Sequence, residues 1–244
     1  MLCFHGYGED ASSFAFLEKH LGSDYTLIAI DFPFHGKTRW NEGFLFTDHD
    51  LLAIIDQMMP LQLEKINILA YSMGARVALH LLQSIPDRMD KIGLVAPDGL
   101  HQNSWHWLAT QTYIGNQLFR VTMQEPRLLF LLMQLFLKLH LMNKNIFNFA
   151  HYYLDRKVSR IELYERWTTM RKFIPAINRL KKTIRANQSH VQLLFGKYDR
   201  VIVTHRGLSF QKGIEKLVAV TEIHAGHQLL KEKYAPAITA LFES

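Results

Sequence analysis

The sequence predicts an α/β protein: a doubly wound, mostly parallel sheet interrupted once by a helical insertion. Two patterns carry this expectation. Short apolar runs of strand character occur six times, with stretches of helical spacing between them, the rhythm of a parallel sheet with crossover helices. That rhythm stops from about Leu100 to Arg185, where the pattern is helical, aromatic and basic, and then resumes. A length of 244 residues suits one such domain with a large core and an insertion.

Met1–Phe4 reads as a short strand leading into the glycine-punctuated turn His5-Gly6-Tyr7-Gly8. Ala11–Leu21 reads as the first helix, with Ser12 or Ser13 as its cap. Thr26–Asp31 is the second strand, closed by a loop carrying Pro33 and Gly36. Asp48–Met59 places Leu51, Leu52, Ile54, Ile55 and Met58 at helical spacing. The third strand starts at Ile66 and runs into Ala70-Tyr71-Ser72-Met73-Gly74, after which the helical pattern continues to Pro86. Lys91–Ala96 is the fourth strand, ended by Pro97-Asp98-Gly99. Pro126 and Pro175 mark helix boundaries inside the insertion, taken as 100–185. The sheet-bearing core is then 1–99 and 186–244. It regains strands at Val191–Gly196 and Leu217–Ile223, with helices over Val203–Lys212 and Gln228–Phe242.

Composition narrows the classes. Hydrophobic residues make up 48% and charged residues 20%, the balance of a globular chain without low-complexity tracts. The single Cys3 excludes an internal disulfide and a cysteine zinc site. The longest apolar run, Leu128–Met142, contains Lys138 and His140 and is too short to span a bilayer. Met1 runs almost directly into strand and motif, so no leader and a cytoplasmic location are the expectation. The net charge of +6 is uneven: Leu100–Ser189 carries 14 Lys and Arg against 4 Asp and Glu. Such asymmetry marks a separate subdomain. No nucleic-acid reader motif accompanies it, so nucleic acid is not an expected partner.

The serine at the third strand-to-helix switch is the first chemical candidate. Ala70 and Gly74, two places either side, are small enough for a sharp turn that exposes Ser72 at the strand's C-terminal end. A serine nucleophile needs a base, and the base needs a group that fixes its tautomer. Asp199 follows the fifth strand and His227 the sixth, the ends where an open α/β sheet gathers its site. Asp98 competes for the role of the acid and His224 for that of the base.

Together these motifs resemble the α/β-hydrolase fold over nearly the whole chain. The resemblance covers the HG turn (His5, Gly6) and the D-x-P-x-H-G loop (Asp31, Pro33, His35, Gly36). It also covers the elbow, with Ala70 in place of the first Gly, the G-x-x-D loop (Gly196, Asp199) and a terminal G-H-x-x-x-x-E (Gly226, His227, Glu232). Two further strands precede the HG turn in the family, and the chain given starts at the strand before that turn. The resemblance implies a Ser72–His227–Asp199 triad in the family's chain order. It also implies an oxyanion hole from the backbone N–H groups of Tyr7 and Met73. His5 and His35 are expected to hydrogen-bond loop backbone around the site, and Asp31 to anchor its loop.

The insertion stands where the family carries its cap. Its aromatics, from Trp105, Trp107, Tyr113 and Phe119 through Phe130, Phe136 and Phe147 to Phe149, Tyr152 and Tyr153, are expected mostly to pack the cap. Trp105, Trp107 and Tyr113 are expected to join His5 along an apolar substrate pocket. The resemblance implies a serine hydrolase acting on a small or medium apolar ester, with no metal or organic cofactor. The same machinery serves thioesterases, carbon–carbon bond hydrolases, lyases and slow ligand-sensing members of the fold. The basic cap fits an anionic substrate or peripheral contact with a membrane surface, although solvent-facing Lys and Arg over amphipathic helices is the commoner reading.

Overall fold

The computed structural model describes residues 1–59, 65–144, 147–148 and 154–243. Phe149, Tyr152 and Tyr153 of the aromatic series lie outside them. The chain divides into two compact units, one comprising 1–38, 47–101 and 173–244 and the other 39–46 and 102–172.

The larger unit carries a six-stranded, all-parallel sheet in the order β2-β1-β3-β4-β5-β6. The strands are β1 (Leu2–Phe4), β2 (Ile28–Ile30), β3 (Ile66–Tyr71), β4 (Met89–Val95), β5 (His190–Gly196) and β6 (Val218–Ile223). The central strands read as continuous apolar runs because helices cover both faces of a parallel sheet. Leu2, Cys3 and Phe4 are buried, as are Leu69, Ala70 and Tyr71. The register pairs Phe4 with Ala70 and Ala70 with Leu94, so β1, β3 and β4 finish side by side. Strand β2 is shorter than its sequence pattern because it pairs only with the three residues of β1.

Several helices differ from the sequence pattern for identifiable reasons. The first is a 3₁₀ turn over Ala11–Leu17 followed by one α-helical turn, α1 (Glu18–Leu21). Its cap is Asp10, whose carboxylate accepts the Ser12 N–H, so neither Ser12 nor Ser13 serves. Helix α2 (Asp48–Met58) opens with a capping box between Thr47 and Asp50. Helix α3 (Met73–Ser84) starts directly after Ser72 and buries eight of its twelve residues. The helix expected over Gln228–Phe242 does not start until Glu232, as short turns around α-helical Ala235–Thr239. Leu229 and Leu230 mimic helical periodicity because both are buried, yet their backbone makes tight turns, with Leu229 N–H donating to the His227 carbonyl.

The smaller unit is helical, with no strand among its described residues. It comprises α4 (Ser104–Gln111), α5 (Tyr113–Gln124), α6 (Arg127–Lys138) and α7 (Lys157–Thr169). Phe119 packs on Tyr164 and Trp167 of α7, with ring centroids 5.5 and 5.7 Å apart. Arg160 is buried, its guanidinium donating to the carbonyls of Met123, Leu154 and Asp155. The segment 39–46 joins this unit by backbone bonding, Phe46 N–H donating to Thr169 O at 3.0 Å. Among the described residues no helix is long and apolar enough to cross a membrane.

Helix α8 (Ile177–Asn187) falls in the larger unit, whereas the sequence pattern drew it into the insertion. It packs against α3 and buries Leu180 and Ile184 completely. Ile184→Ala should therefore lower stability by about 2–5 kcal/mol, read as a lower urea midpoint. Exposed Lys182→Ala, on the same helix, should stay within about 0.5 kcal/mol.

Candidate active site

The end of β3 forces a sharp turn. Ser72 has φ 49° and ψ −115°, a left-handed backbone that side chains other than glycine rarely adopt. Its carbonyl accepts the N–H groups of Ala75 and Asp98, and its own N–H donates to Val95 O. These bonds hold the strained residue between β4 and the first turn of α3. Gly74 is required by space: a Cβ there would stand 2.2 Å from the Phe4 carbonyl oxygen and 2.7 Å from that of His5. The turn therefore sits hard against the end of β1.

Gly6 closes the opposite side, since a Cβ there would lie 2.8 Å from the Tyr71 ring and 3.3 Å from Ser72 Cβ. The turn carrying Tyr7 thus runs beside the serine. Met73 is the first residue of α3, so its N–H has no partner within the helix by position. A helix N-terminus also favours developing negative charge.

The loops after β5 and β6 approach as closely. A Cβ on Gly196 would fall 2.4 Å from the Gly226 carbonyl oxygen, and Tyr198 N–H donates to Ala225 O at 2.8 Å. This approach brings Asp199 to His227. His227 Nδ1 donates to Asp199 Oδ2 at 2.7 Å, and Ser72 Oγ lies 3.1 Å from His227 Nε2. A carboxylate only accepts, so Nδ1 carries the proton and Nε2 presents its lone pair to the hydroxyl. The second oxygen, Asp199 Oδ1, accepts the N–H groups of Val201 at 2.7 Å and Ile202 at 2.9 Å. Burial pushes the Asp199 carboxyl up. The hydrogen bond from His227 and those from Ile202 and Val201 outweigh burial and hold it below the usual carboxylate range.

The competing residues are placed elsewhere. Asp98 forms an ion pair with Arg76 at 2.9 Å and accepts the Gly99 N–H. His224 faces the Tyr198 hydroxyl at 3.4 Å. Asp31 ties its loop down, accepting the N–H groups of Ala11 and Lys37. His5 does not line a pocket: it is completely buried, its Nδ1 donating to Gly6 O at 2.8 Å and its Nε2 accepting the Phe32 N–H at 3.0 Å. It staples the β1 turn to the β2 loop and has no surface for a ligand. Buried His35 holds the Pro33 carbonyl. Trp105, Trp107 and Tyr113 belong to the smaller unit, at 78%, 42% and 80% exposure. Glu232 forms an exposed ion pair with Lys19.

Two neighbours escaped the sequence reading. Tyr71 donates its hydroxyl to the His227 carbonyl at 3.0 Å, fixing the backbone of the histidine loop, and burial pushes its phenol up. Glu9 sits where burial raises its carboxyl against the opposing effect of His227. Tyr71 fills an unspecified position of the elbow pattern and Glu9 follows the HG turn, so both matter only through folded proximity. Among the described residues no three His, Cys, Asp or Glu side chains cluster as metal ligands would.

A profile of the alpha/beta hydrolase fold matches residues 1–234. A pimeloyl-[acyl-carrier protein] methyl ester esterase of Aeromonas salmonicida is 26% identical over 132 residues, 51% of this chain and 51% of that protein. An uncharacterised hydrolase of Bacillus subtilis is 25% identical over 115 residues, 47% of this chain and 42% of its own length. The matched stretches thus span about half or less of these relatives. Among solved structures, a thermophilic esterase from Thermogutta terrifontis superposes with a TM-score of 0.67 at 16% identity, over 99% of this chain and 87% of that one. A thioesterase domain from the curacin biosynthetic pathway gives 0.63 at 16% identity, over 98% and 89%.

The pH dependence follows from Asp199. Its folded carboxyl titrates below its unfolded value of about 4, so its ionisation stabilises the fold above that value. The contribution is lost as pH falls through the lower folded value. Asp199→Asn should flatten this acid limb in denaturant titrations below about pH 4. An unchanged acid limb would contradict the bonding described. The profile match over residues 1–234, with the parallel sheet that bears it out, makes this chain a member of the α/β-hydrolase fold family.

Proposed function

We propose that the chain is a serine hydrolase of carboxylic esters that works through an acyl-enzyme. One observation carries the reading: the unbroken line from Asp199 through His227 to Ser72, at 2.7 and 3.1 Å, on a strained turn. Ser72 Oγ attacks the ester carbonyl carbon while its proton passes to His227 Nε2. Asp199 keeps the imidazole in the required tautomer and stabilises the imidazolium. The N–H groups of Tyr7 and Met73 receive the oxyanion, and each such donor is worth roughly 10²–10³ in turnover in comparable sites. The tetrahedral adduct collapses to an acyl-serine as the alcohol leaves with the proton from Nε2. Water, activated by the same nitrogen, then releases the acid.

The apolar choice of ester rests on the aromatic insertion between β4 and β5, the place of the cap in this family. The helical unit is assigned that role of selecting the acyl or alcohol group. A thioester reading has one specific support, the likeness of the fold to the curacin thioesterase domain over 98% of this chain.

Turnover of short-chain p-nitrophenyl esters beside acyl-CoA thioesters tests both readings. Ester turnover well above thioester turnover is the expected result. Ser72→Ala and Asp199→Asn should each lose about 10⁴-fold or more in kcat/KM. Asp98→Asn should stay within about tenfold, because its carboxylate faces Arg76 and not His227. A large loss in Asp98→Asn with Asp199→Asn near the wild type would move the acid to Asp98.

A further inference from the structure

The smaller unit carries an apolar face turned the wrong way for a globular protein. In α6, Leu128, Leu131 and Leu135, with Leu139 just beyond, recur at helical spacing, and a stripe of this kind normally faces a core. Here they are 66%, 62%, 48% and 56% exposed, and Met133 is the only buried residue of the helix. Helix α5, packed beside α6, continues the pattern with Ile114 and Leu118, 80% and 64% exposed. Those two residues also border an apolar groove of about 500 Å³ running along α4 and α5. Monomeric surfaces seldom leave so many large apolar side chains of two neighbouring helices in water, and such exposure marks an interaction site.

The charge of the same segment selects the occupant. From Arg120 to Lys157 the chain carries six Lys and Arg, all exposed, against Glu125 and Asp155. Glu125 is itself paired with Arg127. A twelve-residue helix is about 18 Å long and cannot cross a hydrocarbon core of about 30 Å. Exposed apolar stripes on short helices, in a segment with an excess of exposed cations over acidic residues, are instead the features of an element that lies in the plane of an anionic bilayer. A second copy of this basic unit would bring like charges together around the same face. We propose that the α5–α6 face is a peripheral docking surface for anionic lipid bilayers. This inference is independent of the triad.

Cosedimentation of the whole chain with phosphatidylcholine vesicles, with and without about one third phosphatidylglycerol, tests it. Strong binding to the anionic vesicles, weakened by salt, is expected. Leu131→Asn with Leu135→Asn should weaken it by about tenfold per leucine, from the apolar surface withdrawn. Arg120→Glu and Lys138→Glu should each cost about fivefold or more. All four positions are exposed, so unchanged far-UV circular dichroism and thermal midpoints are expected of the variants. Absence of wild-type binding, or binding unaffected by the leucine pair, would overturn the proposal. So would a concentration-dependent dimer abolished by that pair without vesicle binding, which would assign the face to a second copy.

Discussion

The site depends on backbone surfaces meeting at closer range than side chains permit. The first turn of α3 rests against the end of β1 only because Gly74 has no Cβ, with Phe4 O where that atom would be. The loops after β5 and β6 meet only because Gly196 has none, with Gly226 O in the same position. One contact fixes where Ser72 points, and the other fixes the distance from Asp199 to His227. The parallel register that brings the strands to a common end sets both.

Polar bonds then remove the remaining freedom. Asp199 is locked by two backbone donors on one oxygen and His227 on the other, so it cannot swing away. The Tyr71 hydroxyl pins the His227 carbonyl, and fully buried His5 ties the β1 turn to the β2 loop. Mobile side chains would have to be ordered during reaction, at a cost in entropy. Here the order exists beforehand, which is what electrostatic preorganisation requires.

The proposed triad is legible in the sequence because Ser72, Asp199 and His227 each sit in a glycine-marked turn after a strand, and the structure brings the three side chains within hydrogen-bond distance. The roles of Asp98 and His224 were not separable there, since both also follow strands; Arg76 and Tyr198 settle their places through contacts far apart in sequence. A histidine in a turn looks accessible in sequence, which places His5 along the pocket, and only folding shows both ring nitrogens engaged. The amphipathic pattern of helix α8 states that it buries Leu180 and Ile184, not against what, so the pattern alone groups it with the helical insertion. Asp10, Ser12 and Ser13 are all good caps within four residues, and local pattern does not rank them.

The turn after β3 and the loops after β5 and β6 meet in one hydrogen-bonded line that ends at Ser72 Oγ. The most direct measurement is therefore the intact mass and peptide map of the protein after reaction with a fluorophosphonate. The account predicts one adduct per chain, on Ser72, and none after Ser72→Ala. An unmodified wild-type chain, or an adduct that persists in Ser72→Ala, would contradict it.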